Sequence, residues 1–150
     1  MFKIVALGGS NTFGFPEDKI QRSEAYPSHL AARLRTEDLD VEVINSGMPG
    51  KRTDEMLAAL AEKVPPGTTH VVFQPGGNDR MQGVPDQIRN RNIEAIKLAL
   101  EKQGIRVLIW EHQEMAGLPR QDDDLHHLTP EGYRKLAVRL LPRVVELLRS

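Results

Sequence analysis

The chain reads as an α/β protein, a parallel sheet with helices on both faces, on the strength of three observations. Short apolar runs at 2–7, 41–45, 70–74 and 105–110 alternate with stretches whose apolar residues recur at helical spacing. The runs are rich in β-branched residues, as strands buried on both faces are. No internal repeat, linker or low-complexity tract breaks the alternation across the 150 residues, so a single domain spanning 1–150 is expected.

Each element follows from its local sequence. FKIVAL (2–7) is a buried strand ended by Gly8-Gly9. From Pro27, the positions Leu30, Ala31 and Leu34 make one face of a helix. VEVIN (41–45) is the second strand, closed by Gly47 and Pro49-Gly50. Thr53 is placed to cap a helix whose inward face is Met56, Leu57, Leu60, Ala61 and Val64, stopped by Pro65-Pro66-Gly67. HVVFQ (70–74) is the third strand. A polar helix over about 84–102 carries the stripe Ile88, Ile93, Ile96 and Leu100, and Gly104 ends it. IRVLIW (105–110) is the fourth strand, and 111–126 reads as irregular. Thr129 is placed to cap the last helix, with Pro130 in its first position. Its inward face is Tyr133, Leu136, Ala137, Leu140, Leu141, Val144 and Leu148.

Composition narrows the function classes. Twenty Lys and Arg against 21 Asp and Glu leave a net charge of −1, so no global field would hold the chain to nucleic acid or an anionic membrane. Cysteine is absent, which removes disulfides, thiolate metal sites and cysteine nucleophiles together. No apolar run approaches the roughly 18 residues of a membrane span. The opening MFKIVALGGSNTFG lacks the apolar core and cleavage site of a signal peptide, so a cytoplasmic location is expected for the chain as given.

The residues hardest to explain by packing fall where ligands bind in open parallel sheets, at the carboxyl ends of the strands. These are Gly8-Gly9-Ser10-Asn11-Thr12, Asn45-Ser46-Gly47-Met48-Pro49-Gly50 and Gly76-Gly77-Asn78-Asp79. Each alone reads as a turn. Together they offer a hydroxyl at Ser10, a backbone N–H at Gly47 and a side-chain amide at Asn78, a set suited to acyl transfer. The serine attacks a carbonyl, and preorganised donors at Ser10 N–H, Gly47 N–H and Asn78 hold the oxygen that becomes negative. A base is then required. Of the five histidines, His29 falls inside a helix and His70 opens a strand, while His126 and His127 follow Asp122-Asp123-Asp124 on the loop before the last helix. Spacing allows either Asp124–His127 or Asp123–His126 as the orienting pair.

The blocks GGSNTFG (8–14), NSGMPG (45–50), GGND (76–79) and DLHHLTPEGY (124–133) resemble, in order, those of the SGNH hydrolases, also called GDSL-type esterases and lipases. The resemblance implies a flavodoxin-like three-layer sandwich and a serine esterase or acyl hydrolase acting on a small-molecule carboxylic ester or thioester, with no cofactor. It implies Ser10 as nucleophile, His127 as base, Asp124 as its partner, and Ser10, Gly47 and Asn78 as the oxyanion hole. The Gly-x-Ser-x-Gly signature of ordinary α/β-hydrolases is absent, since Thr12 stands at its second glycine. Two features depart from the family. Gly9 stands where Gly-Asp-Ser has aspartate, a residue that braces the nucleophile loop in relatives. The stretch from Trp110 to Asp124 has no room for a further helix and fifth strand, so a four-stranded sheet ordered 2-1-3-4 is expected, its open edge available to a partner subunit.

Three rival readings compete with catalysis. Gly9 and the short C-terminal half suit a catalytically silent binding domain of the same fold. Asp122, Asp123, Asp124, His126 and His127 are the right types for a metal site, although neighbours on one short loop rarely converge on an ion. A flavin or nucleotide binder shares the architecture but lacks a phosphate-binding motif here. Phe15, Met81 and Met115 are candidates to line an acyl pocket. Trp110 reads as packing, and Arg52 and Arg80 as either anion contacts or solvated side chains.

Overall fold

A computed structural model describes all 150 residues. Strands β1 (Phe2–Gly8), β2 (Val41–Gly47), β3 (His70–Gln74) and β4 (Arg106–Ile109) form one parallel sheet in the order β2-β1-β3-β4. Ile4 faces Val43 on one side and His70 on the other, and His70 faces Arg106. β1 and β2 run to Gly8 and Gly47, past the predicted apolar runs, because each extends the other's ladder.

Successive side chains of a strand point to opposite faces, and β1 divides its residues accordingly. Ile4 and Ala6 pack with Tyr26, Leu30 and Leu34 of α2 (Tyr26–Thr36) and with the inward stripe of α7 (Pro130–Arg149). Val5 and Leu7 pack with Met56 of α3 (Thr53–Ala58), Leu60 of α4 (Leu60–Lys63), and Ile96 and Leu100 of α6 (Asp86–Glu101). Two cores thus sandwich the sheet. Two short helices, α1 (Ser10–Phe13) and α5 (Asn78–Met81), sit at its carboxyl edge. No helix is long and apolar enough to cross a membrane.

The structure corrects four local expectations. The 53–64 helix is broken at Ala59, which turns Ala61 to solvent. Thr53 does not cap it: Arg52 holds the N-cap position, and Thr53 instead donates its N–H (2.8 Å) and hydroxyl (2.6 Å) to the fully buried Asp79. A buried carboxylate requires such donors, and that need outweighs the capping preference. Ile88 is 43% exposed because Arg89, only 3% exposed, takes the inward position at the first turn of α6. Residues 111–126 are not irregular. A 3₁₀ turn (His112–Met115) leads to an antiparallel pair, β5 (Arg120–Gln121) and β6 (Asp124–Leu128).

The start of α7 explains DLHHLTPEGY. The Thr129 hydroxyl accepts the Gly132 N–H at 3.1 Å, and Pro130 fills a helix position whose N–H needs no partner. A side chain at Gly132 would sit 2.3 Å from the Pro119 carbonyl oxygen, so glycine is required for α7 to dock on the segment before β5.

Candidate active site

The carboxyl ends of β1 and β3, with the turn after β2 and the β5–β6 hairpin, enclose a cavity of about 580 Å³. Ser10 begins α1 on its wall. Its Oγ lies 2.8 Å from His127 Nε2, and His127 Nδ1 is hydrogen-bonded to Asp124 Oδ2. With Nδ1–H donating to the carboxylate, Nε2 carries the lone pair that faces the serine hydroxyl. The Phe15 ring packs against the imidazole, centroids 4.8 Å apart. Burial opposes the charge on Asp124, but bonds from the His127 ring and the His126 N–H (2.9 Å) outweigh it and hold its carboxyl below the usual carboxylate range.

The hairpin register decides between the two histidines. Neighbours on a strand face opposite ways, so only His127 reaches Ser10. His126 also lines the cavity, and its backbone carbonyl accepts the Asn11 amide at 2.9 Å. Asp123, the alternative partner, pairs with Lys19 on the surface at 3.0 Å. The metal reading finds no support in this geometry, since no group of three or more acidic or imidazole side chains converges.

The nucleophile loop is braced by residues that sequence reasoning missed. Gln74 Oε1, at the end of β3, accepts the Gly9 N–H (3.2 Å) and the Thr12 hydroxyl (2.7 Å). Asn45 Nδ2 donates to the Thr12 and Phe13 carbonyls, each at 3.2 Å. Asn11 bridges outward: Oδ1 accepts the Tyr133 hydroxyl at 2.9 Å while Nδ2 holds the His126 carbonyl. The one available signal was a glutamine closing the buried strand HVVFQ, which marks an inward polar group without naming its partner. A Cβ at position 9 would fit without a clash, meeting Asn78 Nδ2 at 3.8 Å and Met56 Cε at 3.9 Å, so space alone does not demand glycine there.

Of the residues expected to supply oxyanion donors, Ser10 and Asn78 line the cavity and Gly47 does not. Ser10 N–H opens α1, where no intrahelical acceptor exists. Asn78 lines the cavity and spends one amide hydrogen on the Lys51 carbonyl (3.1 Å), leaving the other. Gly47 lies outside the cavity, and its N–H already donates to Asn45 Oδ1 at 2.9 Å. An asparagine two residues back readily makes such a bond. Gly47 is instead a site of close approach: a Cβ there would fall 2.3 Å from the Phe13 nitrogen, so its bareness admits α1.

Phe15, Met81 and Met115 all line the cavity, Met81 at its mouth with 73% exposure. Trp110 does not; it is buried edge-on against Tyr26, ring centroids 5.5 Å apart. Arg52 is turned outward to Asp54 and Gln82, whereas Arg80 lines the cavity. The buried Arg89 grips Glu111 with two bonds (2.6 and 3.1 Å) and the Gly76 carbonyl with a third (2.8 Å), tying the Asn78 turn to the end of β4.

This architecture has known counterparts. The model of the GDSL-like lipase/acylhydrolase family matches residues 6–126. The chain belongs to that family. An arylesterase of Vibrio mimicus is 26% identical to this GDSL-like chain over 149 residues, 96% of the chain and 72% of the relative. The crystal structure of a psychrotrophic esterase, EstA from Pseudoalteromonas sp., superposes with a TM-score of 0.82 at 17% identity, covering both chains completely. A carbohydrate acetylesterase family member from Sinorhizobium meliloti gives 0.76 at 18%, again over the whole of both. At these identities the two structural likenesses are ones of fold. Membership in a family of esterases and acyl hydrolases supports hydrolysis of an ester bond.

Proposed function

We propose that this GDSL-like protein is a serine ester hydrolase working through an acyl-enzyme on Ser10. The observation that carries the reading is the unbroken series of hydrogen bonds from Ser10 Oγ through His127 to Asp124. As Ser10 attacks the ester carbonyl, His127 Nε2 takes the hydroxyl proton and Asp124 stabilises the imidazolium. The carbonyl oxygen gains negative charge and is met by Ser10 N–H and the free Asn78 amide hydrogen. Collapse of the tetrahedral species expels the alcohol, which takes its proton from His127. Water then attacks the acyl-serine, giving its proton to the same nitrogen, and the acid leaves with Ser10 restored.

The silent-domain reading rests on Gly9 and the short C-terminal half, and the Gln74 bonds to Gly9 and Thr12 speak against the first ground, because they supply bracing from a different strand. A phosphonate tests the two readings directly. EstA from Pseudoalteromonas is described as inhibited by monoethylphosphonate. An ethyl fluorophosphonate is expected to add one ethylphosphonyl group to this chain, mapped to Ser10 by peptide mass and absent from Ser10→Ala. Intact protein that stays unlabelled under conditions that inactivate an active serine esterase would favour the silent domain.

A further inference from the structure

The cavity surface is mostly apolar, and charged side chains are set into it. Phe15, Met81 and Met115 are its hydrophobic residues, Met81 at the rim, and glycines and the carbon stems of polar side chains supply the rest of the apolar surface. Three arginines line it. Two are neutralised within the fold: Arg80 by Asp86 at 2.9 Å and Arg89 by Glu111. The third, Arg120, has no carboxylate partner. It stands on β5 opposite Leu128, on the hairpin that carries His127, and is only partly exposed. Its guanidinium donates to the Met115 carbonyl (3.0 Å) and the Leu125 carbonyl (3.1 Å). Two of the group's five donors are thereby used, and neither goes to a carboxylate.

Resting on the hydrolase reading, we propose that Arg120 recognises an anion, and that the preferred ester carries a carboxylate a few atoms from the reacting carbonyl. A neutral lipid chain in this space would strip water from Arg120 and return nothing, whereas a carboxylate matches the planar fork of the guanidinium. Glu111, already held by Arg89, does not compete for it.

The test uses matched ester pairs that differ only in charge. One places the acid on the alcohol side, 3-(4-acetoxyphenyl)propanoate against its amide. The other places it on the acyl side, monoethyl adipate against its terminal amide. In at least one pair, kcat/KM for the acid is expected to exceed that for the amide by about 10- to 100-fold, the range of a hydrogen bond to a charged group. Added salt reduces the preference. The ratio falls towards one in Arg120→Gln and is partly kept in Arg120→Lys. Because Arg120 also steadies the hairpin, absolute rates of either variant change for structural reasons, and the acid-to-amide ratio removes that contribution. A ratio near one in both pairs, or a preference that survives in Arg120→Gln, overturns the proposal.

Calorimetric titration of the same acids and amides into Ser10→Ala separates recognition from turnover. Acid binding that exceeds amide binding, and that is lost in Ser10→Ala/Arg120→Gln, upholds the anion site even if the wild type hydrolyses nothing. In that outcome the hydrolase reading fails alone. Equal binding of acid and amide overturns the anion site whatever the rates.

Discussion

The serine of the site is built into the sheet, while its histidine rides on a two-stranded hairpin. Residues 9–13 are bonded from β2 through Asn45 and from β3 through Gln74, and the bare Gly47 lets α1 lie flat on the strand ends. Asn11 and Thr12 are buried there. The hairpin, by contrast, presents Leu125 to solvent at 71% exposure. Gln121 Nε2 to the Leu128 carbonyl (3.1 Å) and Arg120 to the Leu125 carbonyl hold it together internally; outward it is tied by buried Leu128, by Arg120 to the Met115 carbonyl, by the Asn11 bond and by a surface pair to Lys19. The difference separates two kinds of dependence. Ser10, the proposed nucleophile, is positioned by the interactions that make the fold, so damage there registers as lost stability. His127, the proposed base, is positioned mainly by local bonds, so damage there registers as lost rate.

The sharpest break of this comparison lies between adjacent hairpin residues. His127→Ala is expected to lower kcat on an aryl acetate by on the order of 10⁶, as loss of a triad base does. His126→Ala should leave it within a few-fold, since His126 contributes its backbone carbonyl rather than its ring to the Asn11 bond. Thermal unfolding should separate the two far less than turnover does, with His127→Ala the lower because it also loses the bond to Asp124. If the His126 variant is the inactive one, the hairpin register described above is wrong by one residue.

Asp124→Asn comes next, at roughly 10⁴-fold in kcat, because the amide can donate to Nδ1 and turn the imidazole into the wrong tautomer. The carboxylate also predicts how the protein answers acid. The fold depresses the Asp124 pKa, so the bonds from His127 and His126 stabilise the native state above the ordinary carboxylate range. That contribution is lost as pH falls through the depressed folded value. The wild type should therefore lose melting temperature on acidification that Asp124→Asn does not lose. The acid limb of activity should have a slope of one proton, since Asp124 is already ionised there. A slope of two, or parallel acid melting curves for both proteins, would contradict the assignment.

Much of this was legible in the sequence because apolar periodicity and turn glycines report directly on packing. The four strands, the inward face of α7 and the convergence of three turns at one edge follow from such patterns, while the strand order came with the family resemblance. What stayed hidden depends on long-range polar contacts. Nothing local marks Gln74 as the acceptor for Gly9, 65 positions away, or Asp79 as the acceptor for Thr53. The hairpin was missed because β5 has only two residues, too few to show alternation. The local bond at Gly47 was hidden for a similar reason. A glycine at a strand end advertises a free N–H, and only the fold reveals that Asn45 bends back to take it.

The smallest expected effects compare the two braces themselves. Gln74→Leu leaves the Gly9 N–H and the Thr12 hydroxyl without their acceptor in a buried setting, a loss of about 1–3 kcal/mol. For a chain of this size that lowers Tm by several degrees, roughly 2–4 °C per kcal/mol. Asn11→Ala removes the link from the nucleophile helix to the His126 carbonyl, while the Tyr133 hydroxyl keeps the Phe15 carbonyl at 3.0 Å as acceptor. Its Tm should fall less than that of Gln74→Leu. Its kcat should fall more, by about 10- to 100-fold, the scale set by a displacement near 1 Å. KM should hold, because Asn11 steadies the base rather than the ester. Measured side by side, the two variants should thus exchange rank between melting and turnover. Equal rank in both would mean that hairpin and sheet hold the site as one unit, and the division between fold-made and locally made halves would fail.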